Sequence, residues 1–224
     1  MSLELFGYKS VQEKISREKQ WMENNFADCP VKYDPEAAWR DNAVICRLSI
    51  LKPYCLAFGI YQILNKEFND ALAAEINNLN FSPVLEVGAG NGELANVLHN
   101  RGVSLTAVDN YSESLPKGPW LYGLMPVHMS CLDALKKYSP RLVICSWMPG
   151  GCDWTPAFRS AGSVDAYILI GEEDKNIWGD YPGWRSRVLK GPNKWSLCRL
   201  DNGVDFDKPE LWWRHSKVVL FERV

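Results

Sequence analysis

Residues 84–93, Val-Leu-Glu-Val-Gly-Ala-Gly-Asn-Gly-Glu, restrict this chain more than any other stretch. The short apolar run with β-branched residues predicts a buried parallel strand, the glycines end it, and Glu93-Leu94-Ala95-Asn96-Val97-Leu98 continues as a helix. Such a strand, tight turn, helix unit needs glycine, because a Cβ would block both positive φ angles and the close approach of a ligand to the backbone. The helix start then offers free N–H groups to that ligand.

The glycine spacing narrows the choice of ligand. A dinucleotide fingerprint reads Gly-x-Gly-x-x-Gly, but here the third glycine comes one residue early, at Gly92, and Glu93 stands at the fingerprint's last position, which argues against a pyrophosphate site. With Glu86 two residues before the first glycine, Glu-x-Gly-x-Gly-x-Gly resembles motif I of the class I S-adenosylmethionine-dependent methyltransferases, whose loop wraps the cofactor's methionine and ribose parts. The competing reading of the motif alone is an ordinary glycine-rich α/β turn. After the helix, closed by Arg101-Gly102, residues 104–109 predict a second strand ending in the carboxylate of Asp109, at the spacing of a βαβ unit. A carboxylate there can accept both ribose hydroxyls of an adenosine. NAD enzymes use the same device, so Asp109 points to a nucleoside-type cofactor and the early glycine selects between the classes.

Composition sets the outer bounds. The chain has 224 residues, 46% hydrophobic and 23% charged, which suits one generous globular domain. A formal net charge of -2 gives no electrostatic reason to expect nucleic acid as a partner. Seven irregularly spaced cysteines with no Cys-x-x-Cys read as reduced thiols, with Cys145 as core packing, no metal site and a cytoplasmic address. Every apolar stretch is interrupted well before the length of a membrane span.

Ahead of motif I, residues 1–80 are read as a helical extension or lid. An amphipathic helix is predicted over 9–25, another from the Asp34-Pro35-Glu36 start to Pro53, and a third from about Asn69 to Leu79. Arg40, Lys52, Tyr54 and Tyr61 are the groups in this part that could reach a ligand, against the plainer reading that each merely packs or snorkels.

Downstream, residues 124–129 predict a brief third strand, and Cys131-Leu132-Asp133-Ala134-Leu135 enters a helix. The resemblance implies that Asp133 accepts from the adenine amino group while Leu132 packs on the ring; Asp133 is equally suited to be that helix's N-cap. Residues 141–149, Arg-Leu-Val-Ile-Cys-Ser-Trp-Met-Pro, predict the fourth strand, whose carboxyl end faces the ligand crevice of an open α/β sheet. Amino-methylating relatives of this kind often carry Asp/Asn/Ser-Pro-Pro-Tyr/Phe there. Ser146 matches the first position, but Trp147-Met148-Pro149 departs from the rest, which puts a nitrogen acceptor in doubt. Residues 166–173 predict a fifth strand ending in Glu172 and Glu173, either a general base or a solvated strand end. Residues 195–200 and 217–223 are expected as antiparallel sixth and seventh strands, and the tryptophans at 178–213 as core filling or a pocket wall.

The expected fold is therefore α/β: a Rossmann-like, mostly parallel sheet with helices on both faces and an antiparallel last strand, spanning 81–224 behind the extension of 1–80. The resemblance implies an S-adenosylmethionine-dependent methyltransferase, with cofactor contacts at Glu86, Gly88, Ala89, Gly90, Gly92, Asp109, Asn110, Leu132, Asp133 and Ser146. Ser146, Trp147 and Glu172 are the candidate catalytic residues. A small-molecule acceptor is favoured, with a protein acceptor as the alternative, and neither nucleic acid nor membrane is expected as a partner. The competing classes are a non-catalytic module that retains the cofactor cleft and, third, a dehydrogenase.

Overall fold

A buried strand covered on both faces sends alternate side chains into two separate cores, and this alternation organises the molecule. The computed structural model describes residues 61–64, 66–111, 125–171, 181–198 and 216–224. Its elements are β1 (Gln62–Ile63), α1 (Lys66–Leu79), β2 (Val84–Val87), α2 (Glu93–His99), β3 (Leu105–Asp109), β4 (Val127–His128), α3 (Cys131–Tyr138), β5 (Leu142–Ser146), α4 (Thr155–Ser160), β6 (Ala166–Gly171), β7 (Trp184–Val188), α5 (Lys190–Trp195), β8 (Leu197–Cys198) and β9 (Lys217–Arg223).

Seven strands form one sheet in the order β4-β3-β2-β5-β6-β9-β7. The pairs β4·β3, β3·β2, β2·β5 and β5·β6 are parallel, and β9 runs antiparallel to both of its neighbours. One face buries Val84, Leu142, Ile144, Ile168 and Leu220 against Phe68, Leu72 and Ile76 of α1 and Leu94 and Leu98 of α2. The other buries Leu85, Val143, Cys145, Tyr167 and Phe221 against Ala134 and Leu135 of α3 and Phe158 of α4. The expected Rossmann-like architecture is thus present, with helices on both faces and the last strand antiparallel.

The spacing of Phe68, Leu72 and Ile76 by four residues gives α1 one apolar stripe, which is buried. Tyr167 sits at the centre of the second core, stacked on Phe221 with ring centroids 4.6 Å apart and tilted against Trp184 at 5.1 Å. Cys145 is buried, as its apolar neighbours predict.

The sixth strand is not where the apolar pattern put it. Both edges of β9 are taken by β6 and β7, so β7 lies parallel to β6 and holds the place beside β9. Leu197–Cys198 pairs instead with β1 in a separate two-stranded sheet. β7 was missed because it is an edge strand: Trp184 is buried while Arg185, Arg187 and Val188 face water, a charged edge that discourages further pairing but reads as a loop. Among the described residues no helix is long and apolar enough to cross a membrane.

Candidate active site

The chain runs from β2 outward to β3 and β4, then crosses to β5 on the other side of β2. This reversal makes the carboxyl ends of β2 and β5 the topological switch point, where open α/β sheets bind ligands because the two outgoing loops part there. The register sets Val87 beside Val108 and Cys145, so Gly88, Asp109 and Ser146 emerge at one rim.

The loop from β2 to α2 has left-handed backbone at each motif glycine, with φ of 66° at Gly88, 56° at Gly90 and 80° at Gly92. Residues with a Cβ adopt such angles only at a steric cost. The Gly92 N–H closes a turn by donating to the Ala89 carbonyl at 2.8 Å. Asp109 braces the loop from the next strand: its Oδ2 accepts the Gly90 N–H at 2.8 Å and its Oδ1 the Tyr111 N–H at 2.5 Å. Each oxygen keeps a second acceptor site, since an ionised carboxylate offers about four.

Glu86 is the buried carboxyl of the site. On β2 it faces α2, where the Ala95 amide hydrogen-bonds to it, so one N–H of the helix start goes to a side chain of the protein. Its Oε2 is buried with no hydrogen-bond partner. Burial foremost, and then the neighbouring Asp109, push its carboxyl up to about 8, and the Ala95 bond only partly opposes this. Burial also raises Glu93, at the mouth of α2.

Beyond β5 the chain folds back toward this loop. Trp147 takes a left-handed φ of 57°, pinned by its N–H to the Ile170 carbonyl at 2.7 Å and by its indole Nε1–H to Gln62 Oε1 at 3.2 Å. The Tyr61 ring lies 5.7 Å from that of Trp147. The Gln62 amide nitrogen in turn donates to Ser196 Oγ at 3.0 Å, and Ser196 shares a short hydrogen bond with Ser216. A buried polar chain therefore ties the end of β5 to β1 and to the start of β9. Met148 is buried and its sulfur accepts the Trp154 N–H at 3.3 Å. Asp153 Oδ1 accepts from both the N–H and the hydroxyl of Thr155, which starts α4 with Pro156 in its first turn.

Of the residues expected at the site, Glu86, Gly88, Ala89, Gly90, Gly92, Asp109, Ser146 and Trp147 come together at the switch point. Leu132 and Asp133 lie on the first turn of α3, which packs on β2 and β3, and Leu132 is 57% exposed. The N-cap of α3 is Ser130, whose Oγ accepts the Asp133 N–H at 3.2 Å and donates to Asp133 Oδ2 at 2.6 Å. Asp133 thus sits three residues inside, its N–H and its side chain both bonded to the Ser130 hydroxyl. Asn110 is exposed, its carbonyl 3.2 Å from His128 Nε2. Glu172, Glu173, Arg40, Lys52, Tyr54, the helices expected over 9–25 and 34–53, and Trp178 and Trp213 lie outside the described residues. Sequence reasoning missed Gln62 and Trp154; a polar residue inside the apolar run 58–64 was the only signal for the first.

These residues suit an adenosyl cofactor with an amino acid tail: a glycine cradle, a carboxylate with spare acceptor sites at a strand end, and an orphaned buried carboxyl oxygen able to accept an N–H. Among the described residues no group of three His, Cys, Asp or Glu is placed to hold a metal ion.

Strand order and glycine loop together define a Rossmann-like fold of the class I methyltransferase kind. No family model and no curated protein matches the chain. Solved structures similar to it include the methyltransferase domain of bacterial CtHen1, 13% identical over 70% of this chain and 97% of that one, with a TM-score of 0.41. Magnesium protoporphyrin IX methyltransferase (ChlM) from Synechocystis PCC 6803 with bound SAM is 15% identical over 86% of this chain and 92% of its own, at 0.41. Human N-acetylserotonin methyltransferase (ASMT) in complex with SAM is 10% identical over 95% of this chain and 66% of its own, at 0.40. The fold assignment rests on the sheet itself, not on these likenesses.

Proposed function

We propose that the protein is an S-adenosylmethionine-dependent methyltransferase acting on a small molecule. One observation carries the reading: at the switch point, a loop left-handed at all of its motif glycines is hydrogen-bonded to the carboxylate that ends the neighbouring strand. When bound, the cofactor supplies a methyl group activated by a sulfonium. The protein's own part is then orientation. Asp109 holds the ribose hydroxyls with its spare acceptor sites, Glu86 Oε2 accepts from the amino group of the methionine tail, and Leu132 and Asp133 flank the adenine. Ser146 and Trp147 line the acceptor side, and positioning an acceptor for in-line attack is the largest contribution such a site makes. Glu172 is proposed as the group that takes the acceptor's proton where the nucleophile carries one.

Residues 1–80 are proposed to act as an extension, of which α1 packs on the sheet and the part before it roofs the acceptor site. The contacts of Tyr61 and Gln62 with Trp147 support this, because they bring the extension's last residues before α1 to the end of β5. A dehydrogenase is disfavoured by Glu93, which stands where the dinucleotide fingerprint needs glycine. Incubation with methyl-labelled S-adenosylmethionine and a small-molecule extract of the source cell tests the proposal. Release of S-adenosylhomocysteine that depends on the extract supports it; cofactor binding without any release, across small-molecule and protein fractions, favours the non-catalytic binding module.

A further inference from the structure

A second cleft lies away from the switch point. It opens between α4 and the start of β7, has a volume of about 470 Å³, and is lined by Pro156, Arg159 and Ser160 on one side and by Tyr181, Trp184 and Arg223 on the other. Trp184 pairs with Arg223 and Ala166 with Glu222, so the cleft sits where β6 and β7 begin, at the rim opposite to Gly88, Asp109 and Ser146.

Two guanidinium groups are held at this cleft by aromatic rings and not by carboxylates. The guanidinium carbon of Arg159 lies over the Tyr181 ring, 3.5 Å from its centre, and that of Arg223 lies over the Trp184 ring at 4.8 Å. Stacking fixes a guanidinium by its flat face and keeps its charge, while the N–H edge stays available to an acceptor. Arg159 commits Nη1 to Thr155 Oγ1 at 2.8 Å and to the Tyr167 hydroxyl at 3.3 Å. Arg223 commits Nε and Nη2 to the carbonyls of Arg159, Ala161 and Val164 around the end of α4. Among the described residues, Nε and Nη2 of Arg159 and Nη1 of Arg223 have no hydrogen-bond partner. The acids beside these strands are already paired, Asp165 with Arg141 at 2.5 Å and Glu222 with Arg187 at 3.4 Å, so neither charge of the cleft is neutralised among the described residues. Packing accounts for the bonds to Thr155, Tyr167 and the carbonyls. It does not account for two cations brought to one cleft with no anion between them, because like charges repel.

We infer that this cleft binds the phosphate group of a small organic phosphate, a ligand separate from anything held at the switch point. Two positive groups suit a dianion better than a singly charged carboxylate, and the guanidinium fork matches phosphate oxygens. Pro156, Tyr181 and Trp184 give the ligand's organic part an apolar wall.

The full chain, labelled with nitrogen-15, is titrated with phenyl phosphate, inorganic phosphate and benzoate, and its amide shifts are followed by NMR. Phenyl phosphate should give saturating shifts at Ser160 and Gly183, which line the cleft, with none at Gly90, and should bind more tightly than either other anion. Arg159→Gln should weaken it by about tenfold, the scale of one lost hydrogen bond to a charged group. Should that variant fail to fold, Ser160→Glu carries the test: the residue is exposed, and a carboxylate there competes with the ligand for the cleft's cations, with a loss of about tenfold again expected. Shifts that do not saturate, shifts at Gly90 in place of Ser160 and Gly183, or an affinity untouched by either substitution overturn the site. Benzoate bound as tightly as phenyl phosphate overturns the choice of phosphate, and inorganic phosphate bound as tightly overturns the organic part.

Discussion

The Gly90 N–H donates to Asp109 Oδ2 at 2.8 Å, so the loop after β2 and the end of β3 act as one unit. Asp109→Ala should therefore fail in two ways. It removes the proposed ribose acceptors, on the order of 1.5–3 kcal/mol for each hydrogen bond to a charged group, and it leaves the Gly90 and Tyr111 amides without their acceptor. Calorimetry should show cofactor affinity reduced by a hundredfold or more, on the order of 3 kcal/mol. Unchanged affinity would remove Asp109 from the site.

Gly90 has φ 56°, and valine there meets the steric penalty of left-handed backbone together with a β-branched side chain. Gly90→Val should abolish cofactor binding while far-ultraviolet circular dichroism stays close to wild type, since the residue lies outside both cores. A folded variant that binds with native affinity would show that this stretch is not the cofactor loop.

Much of this architecture was legible in the sequence. Residues 84–109 announce strand, turn, helix and strand because buried parallel strands are apolar runs and glycine marks left-handed backbone, and both signals are local. Trp184–Val188 was not legible. Its position is decided by the vacant edge of β9, a partner far off in the chain, and its own arginines hide the strand period. For the same reason Trp154 passed for a loop residue: its contact with Gly88 spans 66 positions and exists only because β2 and β5 are neighbours. The cap of α3 was misplaced by three residues because Asp133 and Ser130 both suit an N-terminus, and which of them has extended backbone is settled by where the turn begins.

Glu86 makes stability depend on pH. Its carboxyl titrates near 8 in the folded protein against an ordinary value of 4.5, so between these limits the native state keeps a proton that the unfolded chain has lost. The sign is therefore unfavourable on raising pH: Glu86's contribution should fall by on the order of 1.4 kcal/mol per unit within that window and level off above it. Glu86→Gln lacks the titration. Urea unfolding at pH 5 and pH 8.5 should show the variant gaining on wild type at the higher pH, while its affinity for the cofactor drops as the proposed acceptor oxygen is lost. A stability difference that is the same at both pH values would contradict this.

Gln62 satisfies two partners, the half-buried Trp147 indole and the buried Ser196 Oγ. Gln62→Leu takes the acceptor from the Trp147 indole and leaves Ser196 Oγ to Ser216 alone, and should cost about 1–3 kcal/mol. Thermal unfolding should show a clear drop in Tm, and once the acceptor is known turnover should fall far more than cofactor affinity, because Trp147 loses its anchor while the adenosine contacts stay intact. Trp147→Ala should give the same split between turnover and cofactor affinity. Loss of cofactor affinity in step with turnover would show that Trp147 does not belong to the acceptor side.

The central claim is that the switch point between β2 and β5 binds an adenosyl sulfur cofactor and not a dinucleotide. Its most direct test is calorimetric titration of the wild-type chain with S-adenosylhomocysteine beside an identical titration with NADH. Saturable one-to-one binding of S-adenosylhomocysteine and none of NADH is the predicted result; binding of NADH, or no heat with S-adenosylhomocysteine, would contradict it.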